Sequence, residues 1–149
     1  MANTPIPFSH ILVPTEGSHP SIQAGRLAIQ LAAHHQARIT FVYVIDESIV
    51  MELASASGRE LPQVQEEMEL SAQRSLDYLT RLAMEMEVAS NQVIRHGIPY
   101  SEIADLAQEQ NVDLITIGQV ENRSPRRSMI GSITERIIEH SPCPVLVVK

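Results

Sequence analysis

Cysteine, lysine and tryptophan are nearly or wholly missing from these 149 residues, and each shortage excludes something. Cys143 stands alone, so there is no internal disulfide and no multi-cysteine zinc or iron–sulfur centre. The only lysine is Lys149, which excludes both the lysine of a GxxxxGK[ST] phosphate loop and an internal Schiff-base lysine. Three tyrosines, two phenylalanines and no tryptophan, with a net charge of −7, offer neither stacking platforms nor a basic footprint. Nucleic acid is therefore not an expected partner. No apolar run approaches the roughly 18 residues of a membrane span. Met1–His10 has no basic start and no apolar core, so it does not read as a secretion signal, and a cytoplasmic location is expected.

What is present is an ordinary globular balance, 44% hydrophobic and 19% charged, read as one domain over residues 1–149. His10–Pro14 is a short run, apolar after its first residue, that suits a buried parallel strand, and Arg38–Ile45 is a second. Between them Ser18 caps a helix whose first turn tolerates Pro20, with Ile22, Ala24, Leu27, Ala28, Leu31 and Ala32 at helical spacing. From Ser48 to Pro62 the pattern is lost, and an exposed connection is expected, anchored in part by Ile49, Val50, Met51 and Leu53. Val64, Met68, Ala72, Leu76, Leu79, Ala83 and Met86 then form the stripe of a long helix with a solvated acidic face.

Val93–Arg95 reads as a strand, Pro99 opens a helix carrying Ile103, Leu106 and Ala107, and Asp113–Ile117 is a further strand ending at Gly118. Ile130, Ile133, Ile137 and Ile138 mark a last helix ending near His140, and Val145–Val148 a last strand. Strict alternation predicts an α/β fold: a parallel sheet covered by helices on both faces.

In such sheets ligands sit beyond the carboxyl ends of the strands, where strand order reverses. The candidates are Pro14, Thr15, Glu16, Gly17 and Ser18 after the first strand, and Val44 with Asp46 at the second. After the fourth come Gly118 and the stretch to Glu121. Gly131, Ser132, Ile133 and Thr134 open the last helix, whose unpaired N–H groups and positive dipole suit an anion. Arg123, Arg126, Arg127 and Arg136 crowd the same region.

With Ile11–Pro14 and Gly17–Ser18, Tyr43–Asp46, and the segment from Gly118 through Gly131–Ser132 to Val148, the chain resembles the universal stress protein family over nearly its whole length. The resemblance implies an open five-stranded parallel sheet of order 3-2-1-4-5, adenine nucleotide alpha hydrolase-like, and a homodimer paired through the edge strand Val145–Val148. It also implies an adenine nucleotide such as ATP, with or without magnesium, as ligand. Glu16 then stands where the family has an aspartate facing the ribose, and Val44 stands beside adenine. Gly118, Gly131, Ser132 and Thr134 would serve the phosphates, with Arg127 and its neighbours as auxiliaries.

The family's nucleotide motif is Gly, two residues, Gly, nine residues, then Gly and Ser or Thr. Here the middle glycine is Glu121. Two like charges about 5 Å apart at an effective dielectric near 20 repel by about 3 kcal/mol, roughly two powers of ten in affinity. A nearby arginine can offset this by pairing with Glu121 or with phosphate. Three functions are weighed. The preferred one is a nucleotide-binding dimer with a stress-response or regulatory role. The second keeps the fold without nucleotide, as an interaction module for an unidentified protein partner. The third is an enzyme, for which the sequence shows no metal cluster and no nucleophile with its base; no catalytic residue is assigned.

Overall fold

The computed structural model describes residues 8–119 and 132–149. Its strands are β1 (His10–Pro14), β2 (Arg38–Ile45), β3 (Ser90–His96), β4 (Leu114–Gly118) and β5 (Val145–Val148). Its helices are α1 (His19–His35), α2 (Glu47–Ser57), α3 (Leu61–Glu85), α4 (Pro99–Glu109) and α5 (Ser132–His140). All strand pairs are parallel and their order is β3-β2-β1-β4-β5. The chain steps outward from β1 to β3, then returns to the far side of β1 for β4 and β5. The reversal leaves a crevice beyond the ends of β1 and β4.

Period-two alternation divides the core into two layers. Phe41, Tyr43 and Ile45 of β2 pack with Ala28 and Ile29 of α1 and with Leu76 and Leu79 of α3. On the other face Val42 packs with Ile103 and Leu106 of α4, Ile115 and Ile117 of β4, and Ile137 of α5, with Val44 partly buried against them. Burying each such Leu, Ile or Phe contributes about 1.5 to 3 kcal/mol. The face of α1 turned inward is built from Ser21, Ala24, Gly25, Ala28, Ile29 and Ala32, mostly small, so the helix lies close on the sheet. Ile22, Leu27 and Leu31 are only half-buried, whereas Ile29 takes the core position.

A Cβ on Gly118 would fall 2.4 Å from the main-chain carbonyl carbon and oxygen of Pro20 and 2.7 Å from Ser21 N. Only glycine lets the first turn of α1 cross the end of β4 at this separation.

Several expectations need correction. Residues 48–62 are not an irregular connection but α2 followed by the start of α3. Asp46 caps α2 through Ser48, Val50 and Ala54 bury one face at i, i+4, and Gly58 closes the helix in the left-handed region at φ 69°. β3 is longer than Val93–Arg95 because the polar Ser90, Asn91 and Gln92 also pair with β2. Met86 is exposed rather than inward. The inner face of α5 is Thr134 and Ile137, while Ile133 and Ile138 are each close to half exposed. The polar face of α3 is not wholly given to water, since Asp77 accepts hydrogen bonds from Gln73 and Gln92 and so ties the helix to β3.

Candidate functional site

The crevice holds a cavity of about 220 Å³. Its walls come from the strand ends, from Ile49 and Met68 of α2 and α3, from Pro99 and Ile103 of α4, and from the first half of α5. Pro14, Thr15, Glu16, Val44, Gly118, Ile133 and Thr134, all anticipated from the sequence, line this one cavity. Ser132 is the first residue of α5. Glu121, Arg127 and Gly131 lie outside the described residues, as do Arg123 and Arg126. Arg136 is turned elsewhere: its guanidinium lies 5.1 Å above the ring of Tyr100.

The turn after β1 shapes the floor. The Thr15 hydroxyl is 2.9 Å from that of Ser21 and accepts the Gly17 N–H at 3.1 Å, while Gly17 takes φ 85°. Thr15 is buried and its hydroxyl is spent on holding this turn. The turn also ends the ladder. β1 and β2 stay in register to Pro14 opposite Val42, Thr15 N–H donates to Val42 O at 2.9 Å, and the chain then veers off toward α1. Among the described residues the main chain of Val44 on that side therefore has no strand neighbour, so a donor and an acceptor at fixed strand-edge spacing face the crevice.

Glu16 and Asp46 supply the only charge among the described lining residues, and both are acidic. Loss of solvation raises the Glu16 carboxyl above its ordinary value, opposed by its own N–H, the Ser18 N–H and the Ser21 hydroxyl. Tyr43 is raised by burial first and then by the charge of Glu16, with Ser71 acting against both. Apart from Tyr43, Thr15 and Thr134, the remaining wall is mostly aliphatic. The arrangement suits a flat apolar ring presenting donors and acceptors along one edge, joined to a group whose hydroxyls can donate to a carboxylate. Main-chain N–H groups at the start of α5 are the described donors for an anion.

The family model described as the universal stress protein family matches residues 7–149. The chain belongs to the universal stress protein family. The universal stress protein MJ0531 of Methanocaldococcus jannaschii is 32% identical over 142 residues, covering 95% of this chain and 82% of that one. The structure of universal stress protein UspA from Lactobacillus plantarum superposes with a TM-score of 0.77 at 27% identity, covering 97% of this chain and all of that one. Two further family structures share the fold. A universal stress protein in complex with cAMP has 21% identity and TM-score 0.73, with 96% of this chain and 98% of that chain covered. One from Archaeoglobus fulgidus in complex with dAMP has 18% identity and TM-score 0.71, with 97% and 100% covered. The fold is adenine nucleotide alpha hydrolase-like, with the expected strand order.

Several lining residues were not singled out from the sequence. In the sequence Ile49 reads as a partial anchor of an exposed connection, and Met68 as one more member of a core stripe. Pro99 follows the carboxyl end of β3, and the strand-end rule reaches it once β3 is extended to His96.

Proposed function

We propose that this protein binds an adenine nucleotide in the crevice and acts as a cytoplasmic homodimer with a regulatory, stress-related role, not as an enzyme. The observation that carries the reading is the exposed main chain of Val44 over an aliphatic slot. Adenine needs one donor and one acceptor along an edge, and a flat apolar bed. Glu16 takes the ribose hydroxyls. A volume of 220 Å³ is below the ~300 Å³ at which pockets for whole drug-sized ligands begin, so it suits base and sugar, with phosphates at the start of α5 beside Gly118, Ser132 and Thr134. Magnesium, where present, would accompany the phosphates. The family structures holding cAMP and dAMP support the ligand class. β5 is an edge strand carrying four aliphatic residues, all half-buried, and pairing with a second copy would satisfy its open main chain.

The alternative is the same fold acting on a protein partner without nucleotide. It is favoured by the acidic pair Glu16 and Asp46 in the pocket and by Glu121 at the motif position. Calorimetric titration with ATP, AMP and cAMP decides between them. Dissociation constants at or below about 1 mM, near −4 kcal/mol, are expected. Binding that arises only in Glu121→Gly overturns the nucleotide reading in favour of the alternative.

A further inference from the structure

β2 leaves the sheet with a third side chain on the face of the pocket. Alternation puts Val42, Val44 and Asp46 on one side of the strand, and all three line the cavity. Asp46 is half-buried and keeps extended backbone, at φ −84° and ψ 111°, so the alternation runs through it. Its carboxylate is held on one side only: Oδ1 accepts the Ser48 N–H at 3.0 Å and the Ser48 hydroxyl at 2.6 Å. Among the described residues nothing bonds Oδ2. The cap of α2 thus fixes an acceptor beside the pocket, two residues beyond the open main chain of Val44.

Purines differ at the edge such an acceptor would meet. Adenine carries an exocyclic amino group, a donor, where guanine and hypoxanthine carry a keto oxygen, an acceptor. One amino hydrogen satisfies a main-chain carbonyl and leaves the second without a partner. A carboxylate oxygen takes the second hydrogen and repels a keto oxygen in the same place. Rigidity makes the repulsion count, because this carboxylate cannot swing aside without releasing the first turn of α2.

We propose that Asp46 sets the base specificity of this pocket, its free Oδ2 selecting a purine with an exocyclic amino group over one with a keto oxygen at that position. Ser48 is the positioning residue that aims it. The inference rests on the nucleotide-binding reading of the crevice.

The test compares ATP with inosine triphosphate, which differ only at that edge, by calorimetry on the intact protein. The native chain is expected to hold ATP at least about tenfold tighter. Asp46→Asn preserves the cap, since asparagine caps as well as aspartate, and its amide can turn an NH2 to the keto group. The preference then narrows at least about fivefold, the rest staying with the main chain of Val44. Ser48→Ala narrows it less, and thermal melts of both variants report whether α2 is intact. An ATP-to-inosine-triphosphate ratio unchanged in Asp46→Asn overturns the assignment and leaves the nucleotide reading standing. No binding of either nucleotide by the native chain overturns both.

Discussion

The two ends of the one sheet are built on opposite plans. At the amino ends of the strands a group of polar side chains is bonded together. His10 Nε2 is 2.7 Å from the Thr40 hydroxyl, His10 Nδ1 is 3.2 Å from the Gln110 carbonyl, and that hydroxyl also reaches the side-chain amides of Asn91 and Gln110. Asp113 accepts from the N–H and hydroxyl of Ser9 and from the N–H of His10, which holds its carboxyl below the usual range despite burial. At the carboxyl ends the side chains are mostly aliphatic, and the main chain of Val44 is left open. The cleft at the amino end is the larger, about 570 Å³ against 220 Å³. Its wall is mostly polar, and His10, Asn91, Glu109 and Gln110 there already have partners, so it offers a flat ring no apolar bed. Unmet hydrogen-bonding capacity over an apolar bed, not volume, singles out the carboxyl end as the proposed binding end.

Breaking the binding end most severely is Gly118→Ala. A methyl 2.4 Å from the Pro20 main chain forces α1 off β4, and a loss of about 3 kcal/mol in urea unfolding is expected, with nucleotide binding gone. His10→Ala strikes the opposite end. It should cost about 2 to 3 kcal/mol yet leave nucleotide affinity within about twofold, because the sites share no partner.

Acid sharpens the contrast. Burial first, then Arg38, lowers the His10 pKa from 6.5. Below that ordinary value the unfolded chain binds the proton that the folded chain refuses. Stability should therefore fall as pH drops from 6.5 toward the lowered value, and the urea midpoint of a His10→Gln variant should lose that share of the dependence.

The smallest effect is expected from Glu16→Gln. The raised Glu16 pKa means that its ionised form opposes folding, so native stability declines as pH rises from the ordinary carboxylate range through the raised value. Glutamine removes the charge, so the melting temperature at neutral pH should rise slightly. Affinity for ATP should fall about threefold as a charged acceptor becomes a neutral one.

Most of the architecture was legible because its signals are local. β5 is an uninterrupted apolar run and β2, after Arg38, is broken only by Thr40, Ser18 and Pro20 announce α1, and the stripe of α3 repeats from Val64 to Ala83. The elements that differ from the sequence pattern share a cause: tertiary context the pattern does not carry. α2 buries only Val50 and Ala54, too narrow a stripe to stand out, although Asp46 with Ser48 and Gly58 marked both ends. The polar start of β3 is permitted because an edge strand is paired on one side only. For the site, the strand-end rule and the start of the last helix point to one crevice and to eight of its lining residues, but do not show that Thr15 is consumed by Ser21 and Gly17. Nor could it show that β1 stops short of Val44, since where a ladder ends is decided by a turn.

Gly118 answers to two masters, the space a phosphate would occupy and the crossing of α1 over β4. A descendant of this chain that had given up nucleotides altogether would still be compelled to retain it. Its survival in a sequence therefore testifies to the helix above it, and whether such a descendant still holds a ligand has to be judged at positions with no such second duty.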